Sequence, residues 1–575
     1  MSSAAGSTFD GVLVPDTASL RKARGAFFTP VDLSDFICRW AIREPADRVL
    51  EPSCGEAAFL VSASLRLNEL GAPRRDDQLA GVELHEASAA SAQAFVAATG
   101  RNAQVQVGDF FEVPSERRFD AVVGNPPYVR YQGFSGEARA ASRRAALRGG
   151  VGLTGLASSW AASTVHAAEF LRPGGRLGLV LPAELLTVNY AADVRRYLMQ
   201  SFGRVRLVMF TDRVFPGVLE EVVLLLADDA LATGGTDHCE LHQIANTADL
   251  DAVLGEDANG SKPRHRWWPT DTSAKWTPAL LSTTALGIYA PLVAGKGFTG
   301  LQSWGQTTLG AVTGRNAYFA LSPAQARELR LRDTETVPLS PPGSRHLRGL
   351  SFTAAAHQQL GDAGARTLLF RPGPDRRAMS AGARRYLAHG EANGVHEAYK
   401  CRVRTPWWQV AINAAPDLFL TYMNADTPRL STNTTGALHL NSVHGVYLHD
   451  DTQAIGRELL ALASLNTLTL LGAELVGRAY GGGMLKIEPR EADVLPVPTP
   501  AAVEAARAGL QHRRRRVRDA LIRGDLLAAV RIVDQVLLRE QMGLSEDQHT
   551  ELVAAHALMT ARRVARGATR LPVDK

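Results

Sequence analysis

Between residues 21 and 230, short apolar runs alternate with longer stretches rich in Ala and Leu at helical spacing. The runs at 48–50, 79–84, 119–123, 177–181, 205–210 and 222–227 predict strands. The stretches 33–42, 57–69, 85–99, 159–171 and 191–202 predict helices. Residues 222–227 are apolar without interruption, as expected of a strand buried on both faces. This alternation predicts an α/β, doubly wound, Rossmann-like sheet. Ligands of such sheets gather at the carboxyl ends of the strands.

The pattern changes after residue 230. Residues 231–280 carry Gly and Pro clusters and read as linker and loop, and 300–495 mix short strands, turns and long loops. A Pro-rich stop at 495–500 precedes a strongly helical stretch to about residue 566. The expected organisation is a flexible tail at 1–20, the α/β domain at 21–234, a mixed α/β region at 235–500 and a helical C-terminal segment at 501–575.

Composition narrows the function. The chain of 575 residues is 45% hydrophobic and 21% charged, with a net charge of +5. Residues 501–575 hold 14 Arg plus Lys against 9 Asp plus Glu, so this segment carries the whole excess. A basic coat protein and an acidic disordered chain are excluded. Only 7 of the 63 basic residues are Lys, which fits GC-rich codon usage as well as Arg chosen to grip phosphates. The four cysteines lie far apart and make no metal or redox pair. With no signal peptide and no run long enough for a membrane span, a reducing cytoplasm and no membrane partner are expected.

The candidate chemistry sits in FDAVVGNPPYV, residues 119–129. A hydrophobic strand runs into Asn125, Pro126, Pro127 and Tyr128. The two prolines fix φ, remove two donors and extend the residue before each. The result is a stiff loop that presents the Asn125 oxygen, the Pro126 carbonyl and an aromatic ring together. Two acceptors can hold the two hydrogens of a planar exocyclic amine and aim its lone pair. Such work is positioning and electrostatics rather than strong-base chemistry. Taken alone, the same segment also reads as a Pro-Pro turn with an Asn cap.

The surroundings decide between these readings. Glu51 to Leu60 runs from a strand end through Cys54 and Gly55 to a helix start, a place for a ligand over a helix N-terminus. Glu83 ends the next strand, either as an acceptor for ribose hydroxyls or as a solvated carboxylate. Asp109 and Phe110 follow Gly108, either around an adenine or as a turn before core aromatics. Thr29 precedes the first helix, after Gly25 and Phe28. In this order the pieces resemble the γ-class amino-methyltransferases, which methylate adenine N6 in DNA with S-adenosylmethionine. The resemblance covers about residues 21–230.

The resemblance implies the following roles. Thr29, Glu51, Cys54 and Gly55 contact the methionine part of S-adenosyl-L-methionine, Glu83 its ribose, and Asp109 and Phe110 its adenine. Asn125, Pro126 and Pro127 orient the target amine and Tyr128 stacks on the flipped base. Phe215 resembles a second aromatic wall. No metal is implied. Ala57 replaces the family's second small-turn glycine, which is tolerable with a negative φ.

Extrusion of a base from a duplex needs groove and backbone contacts as well as stacking. The segments 313–319 and 478–489 resemble the family's target-recognition region, and between them 399–408 combines basic and aromatic residues, although Trp407 and Trp408 read as core. A Gly-rich loop ending at Lys486 suits a phosphate or a tight turn. The run of four arginines at 513–516 fits a solvated helix face, a phosphate contact or a dimer helix. Only some 24 residues precede Gly25, too few for a fused nuclease. The expected protein is a site-specific DNA adenine methyltransferase acting on double-stranded DNA in a restriction–modification or phage-defence system, with a restriction endonuclease or defence subunits as partners. The alternatives are protein-glutamine or RNA methylation, or a modification subunit that needs a specificity partner.

Overall fold

The computed structural model describes residues 29–129, 133, 136–155, 157–210, 222–253, 265–269, 275–480 and 482–567. The tail at 1–20, Gly25 to Phe28 and Phe215 lie outside the described residues. The chain divides into two compact units, residues 1–280 and 281–575.

In the first unit nine strands form one sheet: β1 (Val49–Glu51), β2 (Leu79–Glu83), β3 (Gln104–Val107), β4 (Phe119–Gly124), β5 (Leu171–Pro182), β6 (Phe202–Phe210), β7 (Val222–Ala230), β8 (Cys239–Ile244) and β9 (His265–Trp267). Their order is β3-β2-β1-β4-β5-β7-β6-β8-β9. The first five in this order are parallel, and β7 lies antiparallel between β5 and β6. The chain therefore starts at the middle of the sheet, winds to β3, and returns past β1 to β4. This reversal places the carboxyl ends of β1 and β4 side by side, where a doubly wound sheet opens a crevice.

Helices α1 (Val31–Ala41), α2 (Ala58–Glu69), α3 (Glu86–Ala98), α4 (Gly136–Arg148), α5 (Ser159–Ala168) and α6 (Ala192–Ser201) flank the strands. Helix α1 buries Leu33, Phe36 and Ile37 completely. It lies so close to β5 that a Cβ on Gly178 would sit 2.6 Å from Ile37 Cγ2. The glycine is there for that approach.

Two strands extend the sheet past the expected boundary at 234. β8 pairs parallel with β6 in a register that sets Arg206 opposite Glu240. Their charges are buried together at 3.2 Å, with side-chain exposures of 2% and 3%. β9 closes the edge antiparallel to β8. The first unit consequently runs to residue 280.

In the second unit a five-stranded sheet is formed by Gly305–Leu309, Val443–Leu448, Leu418–Thr421, Leu430–Asn433 and Ser351–Phe352, in that order. The C-terminal helices α7 (Arg507–Ile522), α8 (Leu526–Asp534) and α9 (Glu546–Gly567) do not stand apart from it. Leu510, Val517 and Val533 share one buried core with Leu418 and Val446 of the sheet. The expected division at 500 thus falls inside a single core. Among the described residues, no single helix is long and apolar enough to cross a membrane.

Candidate active site

β4 is buried along its whole length and delivers Asn125 at its carboxyl end. The Asn125 amide is held from two sides. Its Nδ2 donates to Thr29 Oγ1 at 3.2 Å, and its Oδ1 accepts from the Tyr128 hydroxyl at 2.6 Å. That hydroxyl also lies 3.0 Å from the Val180 carbonyl on β5. The amide oxygen has two lone pairs, so one acceptor site stays available.

The loop is pinned from below by the first residue of α5. Ser159 Oγ donates to the Pro127 carbonyl at 2.5 Å and accepts from the Val129 N–H at 2.9 Å. No donor approaches the buried Pro126 carbonyl among the described residues. A small crevice is lined by Pro52 and Ser53 after β1, by Gly124, Asn125 and Pro126 after β4, and by Ser163 of α5. The sequence pattern missed Ser159, since a serine at a helix start signals only a cap.

On the β1 side, Glu51 is 3% exposed and accepts from the Leu60 N–H of α2 at 2.9 Å. Burial pushes its carboxyl well above the usual range. The Leu60 and Phe59 amides pull it back, and the charge of Glu83 raises it further. Glu83 accepts from the Gly55 N–H at 2.9 Å and the His85 N–H at 3.0 Å. It therefore fixes the turn between β1 and α2 rather than standing free in solvent. Gly55 has φ +46°, and a Cβ there would meet open space. Cys54 is buried beneath that turn, its thiol pushed up mainly by burial.

Ala57 has φ +63°, against the negative value that would make it an easy replacement for glycine. Its methyl is fully buried and it begins α2 in the left-handed region. The turn keeps a glycine-type conformation without a glycine.

Asp109 caps the short turn after β3 by accepting from the Phe111 N–H at 3.0 Å. Phe110 is 6% exposed and packs 4.6 Å from the His166 ring and 5.4 Å from Phe170. Burial, and secondarily Arg148, lower His166 to about 4, so it is a neutral core residue at ordinary pH. Tyr128 is half-buried and leans on the core beside β4.

In the second unit the segments at 313–319 and 399–408 meet. The Arg404 guanidinium donates to the Thr313 carbonyl at 2.9 Å, and a Cβ on Gly314 would lie 3.1 Å from Lys400 Cβ. Around this contact Tyr399 is 66% exposed, with Lys400 Nζ 5.5 Å from its ring centroid. Arg315 and Arg402 are exposed and have no carboxylate partner among the described residues. Trp408 is buried and Trp407 packs beside it, as expected of core residues.

The Gly-rich loop does not fit its expected phosphate role. Lys486 is paired with Glu488 at 2.6 Å and lies 5.2 Å from the Tyr422 ring centroid. Gly483 is needed for packing, since a Cβ there would lie 3.1 Å from Val564 Cα of α9. The Arg563 guanidinium donates to the Gly483 carbonyl and pairs with Glu474 at 2.9 Å.

A doubly wound sheet with an antiparallel β7, a rigid Asn-Pro-Pro-Tyr loop and an acidic turn at the switch point define a methyltransferase of the Rossmann-like class. Residues 4–233 match the N-6 DNA Methylase family, and residues 273–538 match the C-terminal domain of Type II methyltransferase M.Eco57I. Between them these matches span most of the chain, which is similar to the adenine-N6 DNA methyltransferases of restriction–modification systems. It is 26% identical over 518 residues to Type II methyltransferase M.XamI of Xanthomonas campestris pv. amaranthicola, covering 86% of this chain and 89% of the relative. It is 20% identical over 482 residues to Type II methyltransferase M.AccI of Acinetobacter calcoaceticus, covering 82% and 84%. The Type IIL restriction-modification enzyme MmeI in complex with DNA shares the fold, with a TM-score of 0.51 at 11% identity, over 92% of this chain and 75% of that one.

Proposed function

We propose that the chain takes an adenine out of duplex DNA and methylates its N6 amine with S-adenosyl-L-methionine, acting in the cytoplasm as a self-contained modification enzyme beside a restriction endonuclease. The observation that carries this reading is the Asn125 amide held between Thr29 and Tyr128, next to a Pro126 carbonyl that no donor among the described residues reaches.

The acidic turn suits the cofactor. Glu51 and Glu83 flank a helix start, and the charge of Glu83 raises the cost of charge on Glu51. A cationic ammonium set between them relieves that cost, and carboxylates accept from ribose hydroxyls. Gly55 leaves space above the turn. Thr29, Cys54, Asp109 and Phe110 complete the assigned surface, with Phe110 as a buried wall rather than a free ring. When bound, the cofactor supplies an electrophilic methyl group.

The residues of the chain supply position. Asn125 Oδ1 and the Pro126 carbonyl accept the two hydrogens of the amine, which takes its lone pair out of conjugation with the ring. Thr29 and Tyr128 hold the amide so that oxygen, not nitrogen, faces the amine. Ser159 holds the Pro127 peptide so that the Pro126 carbonyl keeps its direction. The proton leaves the nitrogen after methyl transfer, so no buried base is required. Phe215 is proposed as a second wall for the flipped base on sequence resemblance alone. Tyr399, Lys400, Arg402 and Arg315 form an exposed aromatic and basic surface suited to DNA.

The test is methyl transfer from labelled S-adenosylmethionine to duplex DNA, RNA and protein. The expected label is N6-methyladenine in DNA, reduced about 100-fold or more by Asn125→Ala. Label confined to RNA or protein overturns the reading.

A further inference from the structure

The run of four arginines at 513–516 does not act as one face. Arg513 pairs with Glu540 at 2.8 Å, and Arg514 donates to the Glu458 carbonyl at 2.8 Å. Arg515 leans toward Asp519, 3.9 Å away. Arg516 turns into an open cleft of about 1040 Å³ between α7 and α8.

Four arginines line this cleft: Arg513 and Arg516 from α7, Arg523 at its C-cap, and Arg531 from α8. On α7 they follow one stripe with Ala520, at intervals of three, four and three residues. Across from them Ala528, Arg531, Ile532 and Gln535 form the matching stripe of α8. Asp519 is the one carboxylate of the lining, and Arg518 approaches it at 3.5 Å. Arg516, Arg523 and Arg531 are exposed and have no carboxylate partner among the described residues.

Like charges on one helical stripe repel, and the facing helix adds another of the same sign. A fold that converges unpaired guanidiniums on one trough bears that repulsion unless an anion occupies the trough. The shape indicates which anion. From Arg513 to Arg523 the stripe runs about 15 Å along the helix axis. One DNA strand presents a phosphate about every 3.4 Å of its axis. An open trough of this length suits a linear polyanion better than a single phosphate, and the planar guanidinium grips phosphate oxygens in pairs.

We propose that the α7–α8 trough is a backbone-phosphate site for duplex DNA, one that contributes affinity without reading sequence. It rests on the chain being a DNA methyltransferase but not on the roles assigned at Asn125.

The test uses the full chain and random-sequence duplex DNA. Binding is followed by fluorescence anisotropy over a salt series. For Arg516→Gln, Arg523→Gln and Arg531→Gln combined, log K against log salt becomes shallower by about 2 to 3. Affinity at low salt falls at least tenfold, and the gap from wild type narrows as salt rises. The melting temperature stays the same or rises, because repulsion is relieved. Arg515→Gln with Arg518→Gln, off the trough, serves as the control and keeps a slope near wild type. An unchanged slope in the triple variant, or an equal loss in the control, overturns the proposal. Binding is read without methyl transfer, so a failure of the assigned catalytic roles leaves this result distinct. An acidic protein as occupant would show as an unchanged DNA slope.

Discussion

At Ala57 the conformation favours glycine while the packing favours a methyl group. The left-handed backbone costs an L-residue roughly 1–2 kcal/mol. Its buried methyl contributes about 0.8 kcal/mol, and the freedom of glycine in the unfolded chain offsets roughly 0.5–1 kcal/mol more. The terms nearly cancel. Ala57→Gly is therefore expected within about 1 kcal/mol of wild type in denaturant melts. Ala57→Val adds branched bulk at positive φ in a filled site and should lose about 2 kcal/mol or more. At Asn125 the side chain is legible in sequence as chemistry, but its orientation is not. The residue that fixes it, Thr29, is 96 positions away. The serine that fixes the adjoining peptide follows 32 positions after Pro127. Neither distance leaves a mark on local pattern.

At the level of elements, apolar runs revealed the strands wherever both faces meet helices. They failed at β8, where CELHQI is buried at four of six positions yet holds Glu240 and His242. A buried ion pair hides a strand from a hydrophobic pattern, because its charge is neutralised by a partner 34 residues away. Removing Glu240 takes from the buried Arg206 the carboxylate that neutralises it at 3.2 Å. Glu240→Ala should destabilise the first unit by about 3–5 kcal/mol, read as a fall in its denaturation midpoint. The Gly-rich loop ending at Lys486 misled in the opposite way. Its glycine serves a helix backbone, and its lysine serves a glutamate.

A second element is sensitive to pH. Asp534, 1% exposed, accepts from His549 Nε2 at 2.9 Å and from the Thr467 N–H at 2.8 Å. The bond to Asp534 raises His549 above its ordinary value near 6.5, with burial opposing. A raised folded value means that the protonated form is stabilised by folding. The contribution is complete below about pH 6.5 and disappears as pH rises through the folded value. The melting temperature of the second unit should thus fall across that window, and His549→Gln should flatten the profile.

For the whole molecule, the charge asymmetry acquires a location. The +5 excess at 501–575 is not a loose basic tail. It is partly spent on Glu458, which lies outside the segment, and partly gathered in the trough between α7 and α8. The sheet, its switch point and the stiff Asn-Pro-Pro-Tyr loop after β4 were readable, since each depends on neighbours in sequence. The extents of the two units were not, because a core is defined by residues that meet across hundreds of positions.

The contact of Arg563 with Glu474 and Gly483 bears on how the chain is made. The helix that closes the core of the second unit is among its last parts to be synthesised, yet it supplies the partner of a glutamate buried 89 residues earlier. During synthesis Glu474 lacks this guanidinium until Arg563 has left the ribosome. The described strands of the first unit all lie before residue 268, so it is free to fold while the second is still being translated. Birth order therefore gives the methyl-transfer half its shape before the half that holds the basic trough.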